Sequence, residues 1–479
     1  MRRVLSCLAV LTLAFGLSAG PVAAKQPTTR IVSTSGIPHA DVADYTKAKR
    51  WREGMPMGIN GSWRAAIDIT IGQIASEKPT AVLHTGDMVR GKWGTDPDGT
   101  GIFGPVRTTA QRKRAIVRAA DLYYQQNKSW WATHGLHPHF GIGDHEIGNV
   151  SRFGVIKAHR FKARAFSTWR GAWARHFTNG GTRYALHPPD GAHRKTAYAT
   201  MIGDVGLITL DPFVKRNGQV RVRIARRQLR WLHTMLHDLR RRGARYLVVQ
   251  CEIPAVGPNR PSHTSGLTLE NGGRLWRMLE DHRVDVLLSG EFHAMTTHSS
   301  RGTTPVQVVH GGQLYHGNAN YLVIDTFDDR MELTLKRMSG KQTGTGEIWA
   351  PGHPRVPDGV RMKRGARVVG TMTIHADGSL SNRSGRLAEG ISKNFARLSA
   401  KHAADRLRRA RTFTSSAKHA ADRLRRPGDL PGAQRRTARA AADRELHHAG
   451  QPRPDHRRTL VEVCCGLSGL SAELRRRER

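Results

Sequence analysis

Cysteine is nearly missing from this chain. Four occur in 479 residues, and Cys7 lies in an apolar N-terminal run, leaving Cys251, Cys464 and Cys465. Three thiols, two of them adjacent, cannot build the disulfide framework that holds small exported domains together. An ordinary apolar core must do that work. Acidic residues are scarce too. Against 77 Lys and Arg stand 38 Asp and Glu, a formal charge of +39 and a pI near 11.3. That excludes an acidic solvating chain and favours anionic partners. After the N-terminus no stretch approaches the roughly 20 apolar residues that a membrane span needs. Hydrophobic residues amount to 38%, low enough that part of the chain is expected to lack a core.

The N-terminus reads as an export signal. Arg2 and Arg3 give a basic start, VLSCLAVLTLAFGL an apolar stretch, and Val22, Ala23 and Ala24 a small-residue cleavage site. Residues 1–24 are thus expected to be removed, placing the protein in a secreted or extracytoplasmic location with no transmembrane segment after cleavage. At the other end, residues 389–479 form a basic low-complexity tail, expected to be disordered. From Arg386 onward there are 23 Lys and Arg against 10 Asp and Glu. The segment SAKHAADRLRR occurs at 399–409 and again at 416–426. Two repeats are too few for a solenoid. One reading makes the tail a basic arm that wraps a polyanion; the other makes it a non-selected extension, such as out-of-frame translation of a GC-rich gene.

Between the ends, strand-like and helix-like patterns alternate. RIVSTS (30–35), TAVLHTGD (80–87), YLVVQCEIP (246–254), RVDVLLSGEFH (283–293), TPVQVVHGG (304–312) and ANYLVIDTF (319–327) read as strands. SWRAAIDITIGQIA (62–75) places Ile67, Ile71 and Ile74 on one helical side, and ARRQLRWLHTMLHDLRRRG (225–243) is amphipathic with Gly243 as a stop. TTAQRKRAIVRAADLYYQQN (108–127) is a third helix, and TAYATMIGDVGLITLDPF (196–213) two strands turning at Gly203-Asp204. This is an α/β chain with mixed sheets. Residues 25–340 form the main domain. Residues 341–388, with the one clear strand RVVGTMTIH, form a small C-terminal β appendage.

Four polar clusters stand at the ends of expected strands: Gly86-Asp87, Gly143-Asp144-His145-Glu146, Cys251-Glu252-Ile253-Pro254 and Gly290-Glu291-Phe292-His293. Sites in α/β sheets form outside the carboxyl ends of strands. A glycine before Asp87, Asp144 and Glu291 lets the backbone approach a ligand closely. A lone strand-end Asp is ordinarily a cap or turn former; four such clusters in order exceed what capping explains. Cys251 reads as a small buried hydrophobe rather than a nucleophile. Trp130 and Trp131 read as core or rim. His310 suits either a supporting hydrogen bond or a structural role.

The order and spacing of these clusters resemble the calcineurin-like metallophosphoesterase superfamily over residues 30 to about 340. Its pattern runs D-x-H, G-D, G-N-H-[DE], H and G-H-x-H. RRQLRWLHTMLHDL resembles the family's Q-x-x-W-L helix, and GDVGLITLD its central strand pair. The resemblance implies a four-layer α/β/β/α sandwich and a metal-dependent phosphoester hydrolase, either a phosphomonoesterase or a phosphodiesterase, using a metal-activated water. It implies Asp87 as a ligand bridging two divalent metal ions, with Asp144, Glu252, Glu291 and His293 as further ligands. His145 falls where the family's histidine contacts phosphate and assists the leaving group. Arg90 and Arg260 stand near motif loops and suit substrate binding. The substrate would be a phosphorylated small molecule or polymer, with non-specific polyanion contact through the basic surface and tail.

Departures from the pattern matter. After strand 30–35 the sequence is STSGIPHADVAD, and Gly36 occupies the place of a ligand aspartate. His39 and Asp41 follow, out of register for a simple replacement. Asp87, Asp144, Glu252 and Glu291 would set four negative charges against two divalent ions. Such oxygen-rich ligation favours Mn²⁺, Mg²⁺ or Ca²⁺, with Fe or Zn as alternatives. The other reading that the sequence supports is a catalytically impaired, exported basic protein that binds phosphate-rich polyanions.

Overall fold

The computed structural model describes residues 26–41, 61–91, 93–96, 101–148, 156–257, 267–292, 295–300, 302–312, 314, 318–343 and 359–388. The chain separates into two units, Met1–His402 and Ala403–Arg479. Everything described lies in the first. The expected signal segment, the duplicated tail, Arg260 and His293 lie outside the described residues.

Sixteen strands and five α-helices are described. The strands are β1 (Thr29–Thr34), β2 (Ala81–His84), β3 (His139–Phe140), β4 (Tyr198–Ile202), β5 (Val205–Thr209), β6 (Phe213–Arg216), β7 (Gln219–Val222) and β8 (Tyr246–Gln250). They continue with β9 (Val286–Ser289), β10 (Thr296–Ser299), β11 (Val306–Val309), β12 (Asn318–Thr326), β13 (Arg330–Thr343), β14 (Gly359–Met362), β15 (Arg367–His375) and β16 (Leu380–Gly385). The helices are α1 (Gly61–Ala75), α2 (Thr109–Ala132), α3 (Ile156–Phe177), α4 (Arg226–Arg241) and α5 (Gly272–Asp281).

Two large sheets result. One has the order β16-β15-β13-β12-β1-β2-β3, with β14 also paired to β13; the other has the order β10-β11-β9-β8-β5-β4. β6 and β7 form a separate hairpin. The segment expected as an appendage supplies β14 to β16, which continue the first sheet through β13. Its expected strand RVVGTMTIH is β15.

Side-chain alternation explains why the sheets stack. Along β1, Ile31 joins one apolar cluster and Val32 another; along β8, Val248 joins the first, Leu247 and Val249 the second. The first cluster lies between the sheets. It combines Ile31, Leu83, Leu322 and Ile324 with Leu207, Val248, Val286, Leu288 and Val308. The second cluster takes the outer faces. There α1 lays down Trp63, Ile67, Ile71 and Ile74, and α4 contributes Leu229, Leu232, Leu236 and Leu239. Strands buried on both faces read as unbroken apolar runs, which is why VLLS and YLVVQ stood out. Each such buried side chain contributes about 1.5–3 kcal/mol. Helices outside, sheets inside: this is the four-layer α/β/β/α sandwich.

β1, β2 and β3 run parallel, as do β5, β8, β9 and β11. Parallel neighbours end together, so the segments after β1, β2, β3, β8 and β9 gather along one rim. Backbone bonds join them across the layers. Gly36 N–H donates to Gly86 O (3.0 Å), Gly312 N–H to Ser35 O (3.2 Å) and Gly290 N–H to Glu252 O (3.0 Å).

Candidate metal centre

The rim holds five buried carboxylates. Asp87, Asp144, Glu146, Glu252 and Glu291 are each at most 2% exposed. Ionised carboxylates buried together need cations or donors. The structure gives Asp87 one donor, His145 N–H (3.2 Å), and Glu291 one, Leu267 N–H (3.2 Å), but surrounds two others with three or more, and these two act as fasteners.

Glu146 is the first fastener. It receives Asp87 N–H (2.8 Å) and Gly143 N–H (2.7 Å) on Oε2, and Met88 N–H (2.9 Å) on Oε1. One carboxylate thereby binds the loop after β2 to the loop after β3. Burial raises its pKa, and the N–H groups of Asp87 and Gly143 pull the other way. Glu252 is the second. Its oxygens accept from Ser35 Oγ (3.0 Å each), Thr85 Oγ1 and Glu291 N–H (2.8 Å). It joins the ends of β1, β2, β8 and β9, and burial drives its pKa up. Expected as a metal ligand, Glu252 falls in neither of the two groups of ligand atoms at this rim; its oxygens are taken by hydroxyl and amide donors.

The other three carboxylates face one another. Asp87, Asp144 and Glu291 each offer an oxygen within 4.8 Å of the other two. Asp87 belongs equally to a second group of the same span, with His39 and His145. Two ligand clusters therefore share one aspartate. Asp87 sits at φ +60°, in the left-handed region that a short polar residue tolerates better than most. Gly86 before it must be glycine, because a Cβ there would press on Gly143 N at 2.7 Å.

The imidazoles are oriented by backbone carbonyls. His39 Nδ1 lies 3.0 Å from Asp87 O, and His145 Nδ1 lies 2.9 Å from Arg90 O. A carbonyl only accepts, so each Nδ1 carries the proton and each Nε2 keeps its lone pair. The two rings meet edge to face at 4.3 Å. His145 is the more exposed, at 8% against 1%. Its Nε2 lies 3.9 Å from Asp144 Oδ1.

Asp87 feels the whole cluster. Burial raises its pKa well above the ordinary carboxylate range, and the charges of Asp144, Glu252, Glu146 and Glu291 add to the rise. Asp144 Oδ2 is buried without a hydrogen-bond partner. Both observations suit a cation among these oxygens.

Asp41 turns away from this centre. Its Oδ2 accepts from Arg90 N–H (2.9 Å), Gly91 N–H (2.9 Å) and Trp93 Nε1–H (3.1 Å), while burial lifts its pKa to about 6. So Asp41 holds the loop after β2, and His39, not Asp41, stands beside Asp87 where Gly36 brings no side chain. Arg90 enters through its backbone, with its side chain half-buried. His310 links three strands, with Nδ1 at Ser289 O (3.1 Å) and Nε2 at Ser33 Oγ (2.8 Å). Burial pushes the Cys251 thiol up, as expected of a packed hydrophobe. Trp131 is core, and Trp130 packs at its margin.

Sequence reasoning did not identify the fastening role of Glu146, nor that of Ser35 and Thr85. The position of Glu146 directly after His145 was the available signal. A cleft of about 670 Å³ elsewhere, lined by Phe166, Arg170, His193 and Lys215 among others, shares no residue with this centre.

The sequence matches no family model and no curated protein. Among solved structures, the chain is similar to a dimetal phosphatase from Danio rerio: 13% identity, 64% of this chain and 96% of that chain covered, TM-score 0.40. It is also similar to a purple acid phosphatase from yellow lupin seeds: 14% identity, 64% of this chain covered, TM-score 0.38. It spans 52% of the lupin chain, about half its length. At these scores the likenesses carry no functional weight, and the case rests on the side chains.

Proposed function

We propose that this protein is a metal-dependent phosphoester hydrolase. The observation that carries the reading is the pair of ligand clusters sharing Asp87, one with His39 and His145 and one with Asp144 and Glu291. The residues fit divalent cations. The donor set joins carboxylate oxygens to imidazole nitrogens whose tautomers are already set. Asp144 Oδ2 is buried with no donor of its own. The carboxylate cluster suits hard ions such as Mn²⁺ or Mg²⁺, and the imidazole cluster suits Mn, Fe or Zn. When bound, such cations supply Lewis acidity and lower the pKa of coordinated water.

The chain's own groups set up the rest. Glu146 and Glu252 fix the five loops, so the ligand atoms are held before substrate arrives. Glu252 thus acts as a positioning residue. His145, the more exposed ring, is not needed to keep the ion, which Asp87 and His39 hold; it takes a second proton on Nε2, as imidazolium, for the departing oxygen while Nδ1–H stays on Arg90 O. The Arg90 guanidinium, beside the same loop, adds positive charge for a phosphate. His293 and Arg260, outside the described residues, enter this reading as a further ligand and a further phosphate contact.

The test is hydrolysis of aryl phosphate mono- and diesters after chelation, with Mn²⁺ or Mg²⁺ added back, for wild type and Asp87→Asn. Turnover restored by metal, and lower in the variant by at least about two orders of magnitude, supports the reading. No turnover in either, together with polyanion binding that falls steeply with salt and survives the substitution, overturns it in favour of a polyanion-binding protein.

A further inference from the structure

The helices over the second sheet carry a second cluster, remote in sequence from the carboxylate rim and sharing no residue with it. His233 and His237 stand four residues apart on α4 and so lie on one helical face. His282 caps the C-terminal end of α5. The ring centroids are 5.1 Å (His233–His237), 4.7 Å (His233–His282) and 4.6 Å (His237–His282) apart. The planes cross at 68°, 89° and 76°, so the rings meet by their edges instead of stacking. One nitrogen from each ring lies within 4.8 Å of the other two. His233 and His237 are exposed and His282 is half-buried. None of the three side chains hydrogen-bonds to another described residue.

We propose that His233, His237 and His282 form a three-imidazole site for one transition-metal cation of the Zn²⁺, Co²⁺ or Ni²⁺ class. Two histidines at i and i+4 already present both nitrogens to one ion, and a third from a neighbouring element closes the triangle. Water takes the fourth position. The rings need to draw in by about an ångström to reach Zn–N lengths of about 2.0–2.1 Å, a shift within reach of surface side chains. An all-nitrogen donor set prefers these ions to Mg²⁺ or Ca²⁺, which separates the site chemically from the carboxylate rim. Burial, then the neighbouring rings of His237 and His233, hold His282 below the usual imidazole range, against the pull of Asp281. That keeps it neutral, as a ligand must be. The bound ion ties α4 to α5 and stabilises the native state without entering the reaction at the rim.

The experiment uses the full chain with Zn²⁺ and Co²⁺ as probes. Equilibrium dialysis counts bound Zn²⁺ for wild type, His237→Gln, His282→Gln, Asp87→Asn and a tail control, His447→Gln with His448→Gln. The two α4–α5 variants are expected to lose one equivalent, or to hold it at least about tenfold more weakly, since even an outer-shell partner is worth that much. They also lose the four-coordinate Co²⁺ absorption bands and the Zn²⁺-induced rise in Tm. The tail control keeps all three, and Asp87→Asn keeps the four-coordinate Co²⁺ bands and the equivalent that His237→Gln and His282→Gln lose, whatever it loses at the rim. Unchanged Zn²⁺ stoichiometry and Co²⁺ spectrum in His282→Gln, or loss of both in the tail control instead, overturns the proposal. Neither result depends on phosphoester turnover, so this site and the hydrolase reading stand or fall separately.

Discussion

Asp144 Oδ2 is buried with no donor, and its charge is among those that push Asp87 toward the protonated form. Asp144→Asn keeps the shape and removes that charge. The metal-free variant is expected to unfold at a higher denaturant concentration than metal-free wild type. It also loses metal-induced stabilisation, about 3 kcal/mol for wild type at a hundredfold excess over Kd. Paired denaturation curves with and without Mn²⁺ check this. A wild type that is the more stable when metal-free would rule out electrostatic crowding. The two imidazoles beside Asp87 separate in the same way. His39→Gln should weaken metal binding. His145→Gln should lower kcat mainly for esters with poor leaving groups, with metal affinity little changed. If both variants lose metal alike, His145 is a ligand and the leaving group finds its proton elsewhere. Asp87, Asp144, His145 and Glu291 were legible in the sequence because each follows a strand and a glycine. His39 was visible beside Gly36 but out of register, and not separable from Asp41, because its ring reaches Asp87 through a loop whose path no periodicity describes. Glu146 was visible as a residue, but its three amide partners belong to backbone brought together only by folding.

Glycines between elements decide whether the loops can meet. A Cβ on Gly290, at the end of β9, would run into Ser35 Oγ and both oxygens of Glu252. Gly290→Ala is expected to cost about 1–3 kcal/mol and to scatter the ligand set, because Glu252 can no longer hold Ser35 and Thr85 together. Gly171 offers the contrast. It lies in α3, where an added methyl group would meet nothing within 4 Å and φ is not positive. Gly171→Ala should therefore stabilise by about 0.5–1 kcal/mol and leave metal binding alone. Thermal denaturation with metal titration of the two variants distinguishes a packing effect at the rim from a general intolerance of alanine. Of the elements, β1, β2, β8, β12, α1 and α4 were legible from period and stop signals. α3 and α5 were not picked out, nor were β13 and the β6–β7 hairpin. α3 is rich in Arg, Lys and His, so its apolar face is diluted; β13 ends in a polar SGKQT that hides its pairing with β12, β14 and β15.

For the molecule as a whole, acid is the revealing perturbation. His84 and His310 are fully buried, and burial holds each near a pKa of about 4, against about 6.5 in an unfolded chain. Between those values the unfolded state binds the protons, so their contribution to stability is present above about pH 6.5 and lost as pH falls towards 4. Burial sets Asp41 and Asp285 near 6, and those carboxyls act in the opposite sense, so a raw pH curve mixes both. His310→Gln isolates the imidazole. The stability difference between variant and wild type should be largest at neutral pH and shrink by a few kcal/mol through that window. A difference that stays constant with pH would mean that His310 binds its proton equally well folded and unfolded, so that burial does not shift it.

The sequence by itself determined most of the strands, the helices α1, α2 and α4, and the acids that end up at the rim. Those features depend on residue type and short-range spacing: apolar runs for strands buried on both faces, a period of 3.6 for helices, glycine before a strand-end carboxylate. Only the tertiary structure decided which acids face an open space and which are spent as fasteners. Glu252 and Glu291 look alike in the chain, each an acid closing a strand. Their difference comes from Ser35 and Thr85, more than 160 residues away in sequence, which meet Glu252 because the two sheets stack. The same stacking of α4 and α5 on one sheet brought His282 to His233 and His237, a meeting that spacing along the chain does not encode.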